Sequence, residues 1–374
     1  MGPGVPGIPV SAVRRTAALI VGGGPAGAAT AIHLARAGQL PLMIERQREA
    51  PDSLCGGFLS WRTLAALERL GIAADQLNRA RVTRVRLCAG HRSVEAPLPA
   101  PSLAVSRRRL DAMLLDRAEE AGAAVERGVA VRAIGDRVAR LADGGAIEAE
   151  ALFLASGKHD VRGTARPEAA RGDDPTLGLR LRLPPTPALQ ALLSGWIELH
   201  LFDRGYAGLV LQEDGSANLC LSVHRSRLHA AGTPALLIDE LGRELPQLGE
   251  RLGYAAPYAA IDAVANVPYG WRQRYGTPGL FRLGDQAGVI PSVAGEGMGI
   301  ALASAASAAR AYLSGGADAA VAWQTRFARQ LARPMAIAGL ARRLVESRHA
   351  APLMALARAP FLLQLMADGT RIGR

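Results

Sequence analysis

The chain is poor in cysteine, lysine and aromatic residues, and each scarcity closes off a class of function. Its three cysteines (Cys55, Cys88 and Cys220) lie far apart and form no CxxC pair. An odd, sparse set supports neither a disulfide framework nor a zinc site, and it suits a reducing, cytoplasmic setting. Lysine occurs once, at position 158, so the net charge of +11 rests on arginines scattered along the whole sequence. No basic run is interleaved with aromatics, so nucleic acid is not an expected partner. The charge is compatible with anionic cofactors, acidic substrates or a weak association with a membrane surface. No run of about 18 apolar residues is present to span a bilayer. The Gly- and Pro-rich residues 1–15 lack an apolar segment with a cleavage site and read as a flexible tail.

What is present is a large apolar fraction, 49% of 374 residues, enough for a substantial core. Ala17–Gly22 is a short apolar run ending in glycines, as a buried parallel strand requires. A helix over Ala26–Ala37 and a second strand over Pro41–Glu45 complete a βαβ unit. Further helices are expected over Trp61–Leu70, with Leu64, Leu67 and Leu70 on one face, and over Arg108–Ala121. Short strands follow to Gly157 around the turn Asp143-Gly144-Gly145. Residues Thr176–Val223 alternate with a period of two, as in "LGLRLRL" and "WIELHLF", and predict a separate, mostly antiparallel sheet. Leu280–Gly284 returns to a strand, and a small-residue helix follows from Gly295 to Leu313. The C-terminal "PLMALARAPFLLQLMADG" reads as a lid or core helix rather than a membrane anchor.

Gly22-Gly23-Gly24-Pro25-Ala26-Gly27 fits GxGxxG between a strand and a helix. Gly22 permits the tight turn, and Gly24 lets backbone approach a pyrophosphate. Gly27 lets the helix pack close to the strand, with its N-terminus facing the negative charge. Glu45 ends the next strand, where a carboxylate accepts ribose hydroxyls and repels a 2′-phosphate. Together these predict a dinucleotide site for NAD or FAD, with Pro25, Ala26 and Arg46 beside it.

The far end of the chain separates the two. "FRLGDQAGVIPSVAGEGMG" delivers Gly284-Asp285 from a strand and then a second glycine cluster, Gly295 to Gly299. This resembles the GD segment of FAD-dependent enzymes with the p-hydroxybenzoate hydroxylase fold. The resemblance implies that Asp285 binds a ribityl hydroxyl and that Gly295, Gly297 and Met298 carry a helix end toward the flavin pyrimidine. A helix N-terminus there stabilises the negative charge of reduced flavin. "VSRRRLDAMLLDRAEEAGA" is similar to the family's arginine-led helix and places Arg107 near the cofactor. "ASGKHDVRG" stands in the place of its DG motif, with Gly157 and Arg162 matching and Ser156 replacing the usual aspartate. That replacement puts the docking of NAD(P)H, the expected reductant, in doubt.

"SLCGGFLS" resembles the Cys-Gly-(Gly/Glu)-x-x-Ser stretch of the geranylgeranyl reductases, a branch of the same superfamily, through Cys55, Gly56 and Ser60. The resemblance makes Cys55 a wall residue of the flavin site. As a redox thiol it would need a resolving partner, and the sequence places no cysteine nearby. Gly56 is the glycine expected to need positive φ or close flavin approach. The branch's Tyr-x-Trp-x-Phe-Pro signature survives only at Tyr206, with Gly208, Val210 and Leu211 replacing the other three. Tyr269, Trp271 and Pro291 are further pocket candidates, and Trp196 and His200 could line a pocket above the flavin.

The resulting expectation is an α/β protein whose Rossmann-type FAD-binding domain (residues 16–75, 105–165 and 275–315) is split by a mostly antiparallel β-sheet substrate domain (76–104 and 166–274). C-terminal helices would follow over 316–374. FAD is expected to be tightly but non-covalently bound, with no metal. The implied activity is a flavin monooxygenase of secondary metabolism, acting with O2 on a hydrophobic aromatic or polyketide-like molecule. The alternatives are a flavin-dependent reductase of a C=C bond and a non-catalytic flavin-binding protein.

Overall fold

A computed structural model describes residues 13–257, 259–347, 350 and 369. The first apolar run forms the strand Arg14–Val21, which begins inside the stretch read as a tail. Arg14 is fastened there by its ion pair to Glu126 on a nearby strand of the same sheet (Nη1–Oε2 2.8 Å). Leu19, Ile20 and Val21 are buried, and their neighbours Leu42–Glu45 and Ala146–Leu154 run parallel to them. Among the described residues this first sheet has seven strands. The parallel strands Ala124–Arg127 and Leu280–Arg282 flank the same centre, and Val131–Gly135 and Val138–Leu141 add an antiparallel edge. The glycine-led helix Pro25–Arg36 and the small-residue helix Gly297–Gly315 share one core with it.

A second sheet of eight strands, counted among the described residues, stands beside the first. Its centre is Thr176–Leu183, Ala217–His224, Gly205–Leu211 and Trp196–Phe202, paired antiparallel in that order. Trp196–Phe202 then pairs in parallel with Val82–Ala89, which forms a long antiparallel ladder with Arg92–Ala104. The two-residue strand Phe58–Leu59 closes that edge.

The period of two assigns the faces of this sheet. Leu179, Leu181, Leu209, Leu219 and Leu221 point to one side and form a core under the helices Pro187–Leu193, Pro234–Glu244 and Pro246–Leu252. The registers Gly178↔Ser222, Arg180↔Cys220, Tyr206↔Ser222 and Gly208↔Cys220 put those residues on the opposite face. Trp196 and His200 alternate with Ile197, Leu199 and Leu201, and so leave the face of Tyr206 and Gly208. His200 is fully buried against Glu198, which also accepts from Arg251 of the helix layer. The pocket role expected of Trp196 and His200 is therefore not theirs, because strand parity turns them toward the helices.

The helix Pro187–Leu193 interrupts the alternating stretch Thr176–Val223, and Pro234–Glu244 and Pro246–Leu252 follow it. Their signal was in the sequence: Thr186-Pro187 and Thr233-Pro234 each place a capping hydroxyl before a first-turn proline. Thr186 Oγ1 accepts from Leu189 N, and Thr233 Oγ1 from Leu236 N, both at 3.2 Å. The last described helix, Ala319–Val345, carries Pro334 in its interior. Among the described residues no helix is long and apolar enough to cross a membrane. Most of the apolar C-terminal stretch lies outside them.

Candidate functional site

The site forms where the glycine turns of the first sheet meet the polar face of the second. Gly22 adopts φ +104°, and a Cβ there would lie 2.6 Å from Ala155 O. A Cβ on Gly27 would fall 1.8 Å from Gly22 O, so only glycine lets this helix sit so close to its strand. Gly24 is the helix N-cap, and among the described residues no side chain caps it. Pro25 has no N–H, so the first-turn amides of Ala26 and Gly27 are left to face an anion. Glu45 accepts from Gly23 N (2.6 Å) and Gln47 N (2.9 Å), which fixes its carboxylate beside the glycine turn. Arg46 projects to His159 Nε2 at 2.7 Å. Arg107 opens the helix Arg107–Glu120, grips buried Asp111 with two bonds of 2.8 and 2.7 Å, and reaches 3.4 Å from the Cβ position of Gly24.

Asp285 lies in a tight turn after Leu280–Arg282. Gly284, at φ +53°, donates to Ser304 Oγ, and a Cβ on it would stand 3.3 Å from Ala26 Cβ, so it lies between the two glycine-rich helices. The turn Gly157–Lys158 faces Asp285 and is pinned by residues the motif comparison missed. Arg166, almost wholly buried, donates to the carbonyls of Gly157, Lys158 and Asp285 and stacks over Trp271 at 5.5 Å. Gln286 Nε2 donates to the carbonyls of Gly157 and His159, while its Oε1 finds no hydrogen-bond partner among the described residues. Arg162, which matched the family motif, is exposed. The buried anchoring falls to Arg166, four residues on. Ser156 Oγ donates to His159 O and closes the turn.

Cys55 sits half-buried on a loop fastened to the second sheet. Asn218 Nδ2 donates to the carbonyls of Cys55 (2.9 Å) and Gly56 (3.1 Å), and Gly57 N donates to Cys55 Sγ at 3.4 Å. Asp52, just upstream, is held by Arg182 and by Arg180 (3.0 Å). Burial works against the Asp52 carboxylate, but these arginines outweigh it and hold its pKa below the usual range. The constrained glycine of the loop is Gly57, at φ +74°, where a Cβ would meet Val105 O at 2.7 Å. Gly56 does not take a positive φ and nothing described lies within 4 Å of a Cβ there, so the positive φ expected of it belongs to Gly57.

The fold also brings up a cysteine that sequence distance had hidden: Cys220 Sγ lies 3.1 Å from Cys55 O. Burial pushes the Cys220 thiol up to about 12, so it is a hydrogen-bond donor and a poor nucleophile. Ser292 Oγ bridges the hydroxyls of Tyr206 and Tyr269, the latter at 2.7 Å. Pro291 is buried and starts that turn, Gly295 takes φ +65° against Phe58, and Met298 is buried in the core. Among the described residues no side chain caps the helix Gly297–Gly315 at its N-terminus. Tyr206 and Tyr269 are thus joined through Ser292, and Trp271 lies beneath the Arg166 guanidinium. Among the described residues no His, Cys, Asp and Glu cluster could hold a metal.

Uncapped helix ends, a glycine cradle and an anchored acid suit FAD: Gly22, Gly24 and Gly27 could admit its pyrophosphate, Glu45 its adenosine ribose and Asp285 its ribityl chain. Residues 15–163 match the family model of an FAD binding domain. A menaquinone reductase of Mycolicibacterium smegmatis is 28% identical over 350 residues, covering 87% of this chain and 83% of that protein. A geranylgeranyl bacteriochlorophyll reductase-like protein from Thermoplasma acidophilum superimposes with a TM-score of 0.73 at 19% identity, over 97% of this chain and 94% of that one. PqsL of P. aeruginosa, solved with 2-aminobenzoylacetate, gives 0.71 at 17% identity over 90% and 98%. The chain thus carries an FAD binding domain, shares the fold of these proteins and is an FAD-dependent oxidoreductase.

Proposed function

We propose that this enzyme reduces a carbon–carbon double bond in a hydrophobic, quinone- or isoprenoid-type small molecule. The observation that carries the reading is the fastening of the Cys55 loop to the polar face of the second sheet by Asn218, Cys220 and the Asp52 arginines. That loop is the one shared with the geranylgeranyl reductases, and the likeness to a menaquinone reductase runs over most of both chains. In this reading Gly22, Gly24, Pro25, Ala26 and Gly27 hold the pyrophosphate of FAD, with Arg107 beside them. Glu45 and Arg46 take the adenosine end, Asp285 and Gly157 the ribityl chain, and Gly295, Gly297 and Met298 the pyrimidine. Bound FAD supplies the hydride. Cys55, Tyr206 and Tyr269 wall the space for the substrate, and NAD(P)H is the proposed reductant.

A second reading, the monooxygenase, is favoured by Gly208. A Cβ there would meet only Leu199 and Cys220 at 3.6 and 3.9 Å, so the sheet is open where the prenyl reductases carry Trp. An open floor suits a compact ring better than a long prenyl chain. The test is anaerobic incubation of the reduced enzyme with a menaquinone, followed by mass spectrometry. A gain of two hydrogens that persists after the quinol is reoxidised in air supports the reductase. Incorporation of labelled oxygen under O2, with no anaerobic product, would replace it with the monooxygenase.

A further inference from the structure

Lys158 is the single lysine of a chain that otherwise uses arginine, and it faces Asp285. Its backbone is fixed from two sides, because Arg166 donates to Lys158 O at 2.6 Å and Gln286 holds the carbonyls of Gly157 and His159. The side chain keeps about a third of its surface exposed, and Nζ lies 3.9 Å from Asp285 Oδ2. That separation is an ion pair without a hydrogen bond, so the pairing leaves the ammonium's donors free for another acceptor. Arg107 is the cation beside Gly24, where a pyrophosphate would lie. The two cations therefore stand apart, with Arg107 at the glycine turn and Lys158 beside Asp285.

Resting on the FAD reading above, we propose that Lys158 is the charge-compensating residue of the site. Its ammonium holds the negative charge that reduction brings in, so the protein binds reduced FAD more tightly than it would without it. Burial acts against the ammonium, but the Asp285 carboxylate favours it and its pKa is raised, so the charge persists at neutral pH. An ammonium concentrates its charge at one point, which suits compensation at close range.

The test uses apoprotein of wild type, Lys158→Met, Lys158→Gln and Lys158→Arg, titrated with ADP, oxidised FAD and, anaerobically, dithionite-reduced FAD. The neutral variants should bind ADP and oxidised FAD within about twofold of wild type, which also reports that they are folded. They should bind reduced FAD about tenfold more weakly, which is a midpoint potential about 30 mV more negative for a two-electron couple. Lys158→Arg should recover most of that loss. Equal weakening of ADP and both forms of FAD would place Lys158 on the pyrophosphate and overturn the inference. Unchanged affinity for all three would overturn it as well. A wild-type protein that binds neither form of FAD overturns the cofactor reading and this inference with it, whereas the other two failures leave that reading standing.

Discussion

Placing a methyl group on Gly57 should damage this protein, and placing one on its neighbour Gly56 should not. Gly57 holds φ +74°, a left-handed conformation that costs a residue with a Cβ about 1–2 kcal/mol. The new Cβ would also stand 2.7 Å from Val105 O and 2.9 Å from Gln212 Nε2. Val105 is not free to retreat, because its own N–H donates to Gly57 O at 3.0 Å. Losing that bond adds about 0.5–1.5 kcal/mol. Gly57→Ala should therefore lose roughly 1.5–3.5 kcal/mol, the sum of conformational strain and a broken contact. A Cβ at Gly56 meets nothing described within 4 Å, and its φ is not positive. Gly56→Ala should stay within about 0.5 kcal/mol of wild type, as surface substitutions do. Thermal melts of the apoproteins, with FAD content measured alongside, give the comparison. Gly57→Ala should melt several degrees lower and retain less FAD. Equal shifts for the two variants, or a larger one for Gly56→Ala, would refute this account of the loop.

Glu45→Ala should weaken FAD binding by about 1.5–3 kcal/mol, the scale for hydrogen bonds to a charged group, read by titration of apoprotein with FAD. Cys55→Ser should keep FAD content and at least about a tenth of wild-type turnover, since the loop is held through backbone atoms of Cys55 and not by thiol chemistry. His224 lies between Glu346 (Nε2–Oε2 2.9 Å) and Asp174 (Nδ1–Oδ2 3.2 Å), and the bond to Glu346 raises its pKa despite burial. Its stabilisation is complete below the unfolded value of about 6.5 and is lost as pH rises through the raised folded value. His33 and His159 are lowered, chiefly by burial, and bend the curve the other way, so the readout is the wild-type minus His224→Gln difference in melting temperature. That difference should shrink from pH 6 toward alkaline pH, and growth with pH would contradict the assignment.

The cofactor half of the site was legible because its chemistry is local. Gly22, Gly24, Gly27 and Glu45 lie within one βαβ unit, and close packing leaves glycine as the only choice at two of them. The second sheet was legible as a period of two, yet its partners were not. Cys220 reaches Cys55 across 165 positions, through a register that no short stretch encodes. Arg180 and Arg182 did leave a trace in "LGLRLRL", where charge at alternate positions marks a polar face without naming Asp52 as its partner. Arg166 was hidden because the motif resemblance drew attention to Arg162. Burial, not spacing, separates those two arginines.

The loop that carries Cys55 precedes its sheet in the chain but is fastened to it through Asp52, Cys55 and Gly56. This bears on recombination between relatives. A graft that exchanges only residues 76–104 and 166–274 would separate Asn218, Arg180 and Arg182 from the loop they hold. A crossover point upstream of Asp52 keeps these partners together, so a transplanted specificity should travel only when the short segment 52–59 travels with it.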